Sequence, residues 1–397
     1  MRMRFELTDS ACVWIVTMVL VGFGLLMVFD TSALFSLQQY GSPYHFFLRQ
    51  VVYAGVGMIA MVMLARTDYA TYRRAAPLFL VAGAILLAMV FVPGVGKTIR
   101  GARRWIALGP VSIQPSEFVK LIVVYYLAAA LSERSRTESA HPFRDYVTYL
   151  AVVGVLLAIV YKQKDFGTTV IIAAITFVMF FLGGVKMRYL FATSLCALPA
   201  LLYALIVYRY RIVRITSFLD PWRDPYGSGF QLIQSLISFG KGGVFGQGFA
   251  NGKQQLFYLP DAHTDFILAV IAEELGLLGV IAVLLLFLLL LFVGVRVAVR
   301  AQDRFGFLLA SGITILISLQ VVLNVGVVVG ALPTKGMVLP FLSYGGSALL
   351  TNIAAMGMLL SVARLCVLRP APTKEAYKRS SRAPRKRTRE ALAGSPA

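Results

Sequence analysis

Residues 265–295 read DFILAVIAEELGLLGVIAVLLLFLLLLFVGV, an apolar run that follows the polar stretch Pro260-Asp261-Ala262-His263-Thr264. About 20 residues of helix cross the hydrocarbon of a bilayer, so the run predicts a membrane span. An acid at the edge of a span costs about 2.5–3.5 kcal/mol on insertion scales and is retained only where it is paired, wet or used. Asp265 is therefore a functional candidate before any motif is considered.

Nine further apolar runs lie near 12–29, 47–65, 76–92, 117–131, 146–161, 168–184, 189–208, 306–329 and 347–368. Over 397 residues, 58% are apolar and 14% charged, and mean hydropathy is +0.77. These values place the chain with polytopic all-α membrane proteins of about ten helices. The first run lacks a clear small-residue cleavage site and is long enough to span, so it is expected to stay as an anchor.

Lys and Arg set the orientation. Arg2, Arg4, Arg66, Arg73, Arg74, Arg134, Arg136, Arg144, Lys186, Arg188, Arg296, Arg300 and Arg304 fall on one side, together with a basic tail after Arg369. An even helix count puts both termini on that side, the cytoplasm. The expected organisation is a cytoplasmic segment 1–11, a membrane domain 12–368 with a large outer loop 209–264, and a tail 369–397. The tail is rich in Lys, Arg, Ser and Pro and too poor in apolar residues to order itself. The net charge of +20 thus speaks for membrane surface and against nucleic acid.

Cys12, Cys196 and Cys366 are far apart, and the three histidines are scattered, which gives neither a disulfide framework nor a His/Cys metal spacing.

The loops assigned to the outside carry cations against the charge rule: Lys97, Arg100, Arg103, Arg104, Lys162, Lys164, Arg209, Arg211, Arg214, Arg223, Lys241 and Lys253. Cations rooted at helix mouths suit a phosphate or pyrophosphate head group whose tail stays in the bilayer. Pairing with Asp220, Asp224 and lipid phosphates would account for the same charges.

Polar blocks project from this side. Gly101-Ala102-Arg103-Arg104-Trp105 precedes Gln114-Pro115-Ser116-Glu117-Phe118-Val119-Lys120, where Pro115 suits a first helical turn and Glu117 and Lys120 share a helix face. The pair reads as a structural ion pair or as the lining of a wet cavity. Lys164-Asp165-Phe166-Gly167-Thr168 sets a carboxylate at a helix mouth, as ordinary turns also do. Residues 214–274 add glycines at 240, 242, 243, 246, 248 and 252, fit to wrap a sugar or phosphate with backbone N–H groups or to form a flexible loop. Asp265 and Glu273 are expected on one face of helix eight, two turns apart. Residues 332–347, rich in Pro and Gly, predict a re-entrant or broken backbone lining a protein cavity.

Six blocks in order, Gly-Ala-Arg-Arg-Trp at 101–105, Gln-Pro-Ser-Glu-Phe-x-Lys at 114–120, Asp-Phe-Gly-Thr at 165–168, His-Thr-Asp-Phe-Ile at 263–267, Glu-Glu-x-Gly at 273–276 and Ser-Tyr-Gly-Gly-Ser at 343–347, resemble the SEDS family of FtsW, RodA and SpoVE. The resemblance covers about residues 10–368. Asp220-Pro221-Trp222-Arg223-Asp224-Pro225 and Leu332-Pro333-Thr334-Lys335-Gly336 look like its division-type branch, whereas Ala348 is more typical of the elongation-type branch.

The resemblance implies a peptidoglycan glycosyltransferase in the bacterial cytoplasmic membrane. It would polymerise lipid II at the outer face beside a class B penicillin-binding transpeptidase and other divisome membrane proteins. Asp265 matches the family's essential aspartate, and Glu117, Lys120 and Asp165 match residues of its central cavity. Asp265 is then the expected base, and Arg103, Arg104, Lys120 and Lys335 the candidates for stabilising pyrophosphate. His263, Glu273, Ser343 and Ser347 complete the expected substrate-binding set. A divalent cation, Mg²⁺ or Mn²⁺, shared by Asp265 and pyrophosphate suits the chemistry, and no organic cofactor is expected. An elongation-type polymerase, a lipid II flippase and a non-catalytic scaffold are the alternatives. A flippase would expose its cavity on both faces in turn, and a scaffold would not need Glu117, Lys120 and Asp265 in the membrane.

Overall fold

The computed structural model describes residues 8–99, 101–109, 111–137, 141–207, 209–253 and 259–368. The tail 369–397, the segment 1–7 expected in the cytoplasm, and Arg100 lie outside the described residues.

Each of the ten apolar runs is a helix: α1 (Asp9–Tyr40), α2 (His45–Arg66), α3 (Tyr69–Met89), α4 (Pro115–Thr137), α5 (Pro142–Lys162), α6 (Phe166–Leu182), α7 (Met187–Val207), α10 (Ile267–Arg300), α11 (Arg304–Val328) and α12 (Gly346–Leu368). Among the described residues seven helices are long and apolar enough to cross a membrane, and α6 is apolar but shorter. Local chemistry sets their ends. Thr8 caps α1 through its hydroxyl, which accepts from Ala11 N at 3.3 Å, and Gly41 closes that helix in the left-handed region at φ 70°. Asp165 and Asp303 cap α6 and α11 with their carboxylates.

Three features depart from the expected plan. Residues 96–113 form a three-stranded antiparallel sheet, β1 (Gly96–Ile99), β2 (Ala102–Leu108) and β3 (Val111–Ile113), in the order β1-β2-β3. Among its described residues the loop 209–264 contains two helices, α8 (Arg209–Leu219) and α9 (Phe230–Gly242), with a 3-10 turn over Pro221–Arg223 between them. And α10 is broken at Gly276, which stands at φ 65° and ψ −166°.

The break explains where the glycine series goes. Leu277 N and Leu278 N donate to Gly243 O (2.9 Å) and Val244 O (3.2 Å), and Glu273 O and Glu274 O accept from Gln247 N (2.9 Å) and Gly248 N (3.0 Å). Backbone groups freed by the kink are thus satisfied by an extended strap. Gln247 N, Gly248 N, Gly243 O and Val244 O of the glycine series therefore serve the kinked helix.

The core runs the length of the bundle, with α4, α11 and α12 the most enclosed of the seven spans. The linker between α11 and α12 dips into it as irregular backbone, with Leu339, Phe341, Leu342 and Ser343 buried, which meets the expectation for that segment.

Candidate functional site

Asp165 is the hub of a polar cluster between the mouths of α4 and α6. Its Oδ2 accepts from Gln114 Nε2 and Ser116 Oγ, both at 3.2 Å, and its Oδ1 accepts from Thr168 N at 3.3 Å. Arg104, on β2, brings its guanidinium to 3.6 Å from Oδ1 and donates to Lys164 O at 2.8 Å. One turn into α4, Glu117 and Lys120 pair at 2.7 Å, and the Lys120 ammonium also donates to Gln320 Oε1 of α11 at 3.2 Å. Both charges are buried, so removing either one would leave an uncompensated ion.

Lys335 enters this cluster from the α11–α12 linker. A Cβ added at Gly167 would overlap Lys335 Cε and Nζ, so the lysine stem lies across that glycine, two residues beyond Asp165. Burial pushes its ammonium down to about 8; Lys120 and Arg104 act in the same direction, and Asp165 and Glu117 oppose them.

Gly336, the next residue, meets Asp265. A Cβ there would stand 2.7 Å from Asp265 Oδ2. Asp265 is not on the helix with Glu273 as expected; it ends a turn before α10, where its N–H donates to Asp261 O at 3.1 Å. That turn leaves it partly exposed. The linker dipeptide Lys335-Gly336 therefore joins the partly exposed carboxylate to the cation cluster.

The other expected site residues are engaged elsewhere. Arg103 turns its guanidinium onto the carbonyls of Val92 (2.9 Å) and Gly96 (3.4 Å) in its own hairpin, opposite in sense to Arg104 because neighbours on a strand alternate. Glu273 accepts from Lys253 N at 3.0 Å and anchors the strap. Ser343 Oγ accepts from Leu339 N and Ser347 Oγ from Gln114 N, at 2.8 and 2.9 Å, so these hydroxyls hold backbone. His263 joins an aromatic group with Phe35, Phe46 and Tyr344, its ring centroid 5.3–5.8 Å from theirs, while its carbonyl accepts from Tyr344 N at 2.8 Å.

Gln114, Gln320 and Asn324 were not among the expected site residues. Gln114 opens the Gln-Pro-Ser-Glu motif. The signal for the other two was a Gln and an Asn four residues apart within an apolar run, one face of a helix.

Among the described residues no three His, Cys, Asp or Glu side chains gather as metal ligands. A divalent ion held at Asp265 would therefore draw further oxygens from the substrate. What the cluster can do is hold anionic oxygens with Arg104 and Lys335 beside a carboxylate able to take a proton.

A family model described as "Cell cycle protein" and built on FtsW, RodA and SpoVE matches residues 10–366. The chain belongs to the FtsW/RodA/SpoVE family. The match runs from the first turn of α1 to the last turn of α12, so the family covers the whole bundle. Among relatives, "Probable peptidoglycan glycosyltransferase FtsW" of Geobacter sp. (strain M18) is 43% identical over 351 residues, 88% of this chain and 95% of that protein. "Stage V sporulation protein E" of Bacillus subtilis (strain 168) is 42% identical over 350 residues, 88% and 95% of the two chains. Among solved structures, a chain from "Structural coordination of polymerization and crosslinking by a peptidoglycan synthase complex" superposes with TM-score 0.72 at 31% identity, covering 89% of this chain and 97% of its own. The rod shape determining protein RodA of Thermus thermophilus superposes with TM-score 0.66 at 27% identity, covering 91% and 98%.

Proposed function

We propose that this FtsW/RodA/SpoVE member is a peptidoglycan glycosyltransferase serving cell division, and that it polymerises lipid II with its site open to the outer face of the cytoplasmic membrane. The observation that carries this reading is the Lys335-Gly336 junction, which sets a partly exposed acid against the cation cluster at one end of a membrane bundle. A lipid-linked pyrophosphate sugar matches both halves.

In the reaction, Asp265 accepts the proton of an acceptor sugar hydroxyl as its oxygen bonds to the anomeric carbon of the donor. The bond from that carbon to undecaprenyl pyrophosphate breaks and the electron pair leaves with the phosphate oxygen. Arg104 and Lys335 face the charge that develops there. Lys120, held between Glu117 and Gln320, supports the field from inside the bundle. A divalent ion, when bound, would neutralise pyrophosphate oxygens, with Asp265 as its protein ligand. The division role rests on the relatives named FtsW, and a class B penicillin-binding transpeptidase is the proposed partner. Orientation, with both termini in the cytoplasm, rests on the charge pattern.

The test reconstitutes the chain with its transpeptidase, lipid II and a divalent cation in proteoliposomes. Wild type is expected to make glycan strands and Asp265→Asn none, with insertion and partner binding intact. Strands from the variant would remove Asp265 as the base, and lipid II translocated without strands by either protein would replace the polymerase with a flippase.

A further inference from the structure

Asn324 sits one turn before the end of α11 and is 1% exposed. Its Nδ2 donates twice, to Asp265 O at 3.0 Å and to Met337 O at 2.6 Å. The first carbonyl belongs to the proposed base. The second lies two residues after Lys335, on the far side of the glycine that faces the Asp265 carboxylate. One amide thus spans the two irregular segments that carry the site, neither of which has a regular ladder to fix it.

The same helix face places Gln320 one turn below, where it receives the Lys120 ammonium. Helix α11 therefore presents two amides in register, one tied to the cations and one to the acid.

The Oδ1 atom of Asn324 is buried and finds no hydrogen-bond partner among the described residues. Both amide hydrogens point at carbonyls, which fixes the orientation of the group and leaves the oxygen orphaned. An apolar residue in its place would leave those two carbonyls without their donor, so the amide couples the two segments at the cost of its own unpaired oxygen.

We infer that Asn324 is a positioning residue: its amide sets Asp265 in register with Lys335, so that base and leaving-group cation meet the same substrate. This rests on the glycosyltransferase roles given above. Lost register acts chiefly on the transition state, where base and leaving-group cation must meet together, while Arg104 keeps its hold on the head through its own ties to Asp165 and Lys164 O. A displacement of about 1 Å in a reacting group costs about 10²-fold in rate.

The experiment uses the full chain with its transpeptidase in proteoliposomes, comparing wild type, Asn324→Leu and Asn324→Asp. Leucine keeps the volume and donates nothing; aspartate keeps the shape and, buried against two carbonyls, is held protonated and donates one hydrogen bond in place of two. Both are expected to lower kcat, leucine about 10²-fold, with KM within about threefold of wild type. Both are expected to lower the melting midpoint, because carbonyls lose a donor. Hydrogen exchange should rise in 259–266 and 333–340 together. If the leucine variant does not fold, the aspartate variant decides. Turnover within about threefold of wild type, or a loss confined to KM, overturns the inference. Exchange read on the purified protein needs no turnover, so if wild type makes no strands the glycosyltransferase reading fails while the clamp is still tested: unchanged exchange in both segments would overturn it.

Discussion

At the residue scale, the proposed role of Lys335 predicts a pH dependence. Its pKa of about 8 in the folded chain lies below the ordinary lysine value of 10.5, with burial as the first cause. Between those values the unfolded chain binds more protons than the folded one, so this residue makes stability rise with pH through that window. In the proposed reaction, transition-state stabilisation needs the charged form and falls as pH passes about 8. Turnover and stability are therefore expected to move in opposite directions between pH 7.5 and 9.5, roughly the span of the shift. A pH–rate profile beside a melting profile checks this, and a rate that stays flat to pH 9.5 would remove Lys335 as a required cation. The sequence exposed Asp265 as an acid at a span edge, and the resemblance marked Lys335 as a candidate cation for pyrophosphate. It did not show that two glycines, Gly167 and Gly336, are the surfaces on which those side chains rest, because a close approach between distant segments leaves no local pattern.

At the element scale the decisive feature is the break in α10. Residues 265–295 predict a span and the span exists, yet its first turns and its long remainder are separate helices in all but connectivity. Gly276 stands in a backbone region open essentially to glycine alone, and a Cβ there would collide with Gly246 N and Val244 O. Gly276→Ala is expected to lose about 1–3 kcal/mol from backbone strain, with the collision adding to it. A melting midpoint equal to wild type in detergent would show that α10 can straighten and that the strap is not needed. The run itself could not reveal the kink, since Gly276 and Gly279 are tolerated in continuous spans. Nor was the sheet of β1 to β3 legible: its strands are of 4, 7 and 3 residues, too short for a period to emerge.

For the whole molecule, helix pairing without a hydrophobic drive depends on close backbone approach. The most extensive pairing is between α2 and α12, where Gly357 would bring a Cβ to 2.7 Å from Met61 Cα and Gly57 one to 3.1 Å from Ile353 Cδ1. Gly357→Leu is expected to cost about 1–3 kcal/mol or more through overpacking. Gly55→Leu, on the outward face of α2 with nothing within 4 Å, should stay within about 0.5 kcal/mol. Equal midpoints for the two variants would disprove the role of that interface. The Asp9 carboxylate ties α1 to α10 at the other end of the bundle through Arg296 (3.0 Å) and Arg300 (2.7 Å).

By itself the sequence determined the membrane solvent, the positions of the ten helical runs, the Glu117–Lys120 pairing and the family, because hydropathy and helical spacing are local quantities. Only the tertiary structure decided which polar groups gather around Asp165 and which hold backbone. Arg103, Glu273, Ser343 and Ser347 were indistinguishable in sequence from Arg104, Asp165 and Lys335, since each is a polar residue beside a span. Their separation came from the partners the fold supplies: Arg104 reaches Asp165 and Ser347 holds Gln114, whereas Arg103 and Ser343 turn to backbone near them in the chain. In a bundle where every buried backbone group must find a donor or acceptor, those partners are assigned by the fold as a whole.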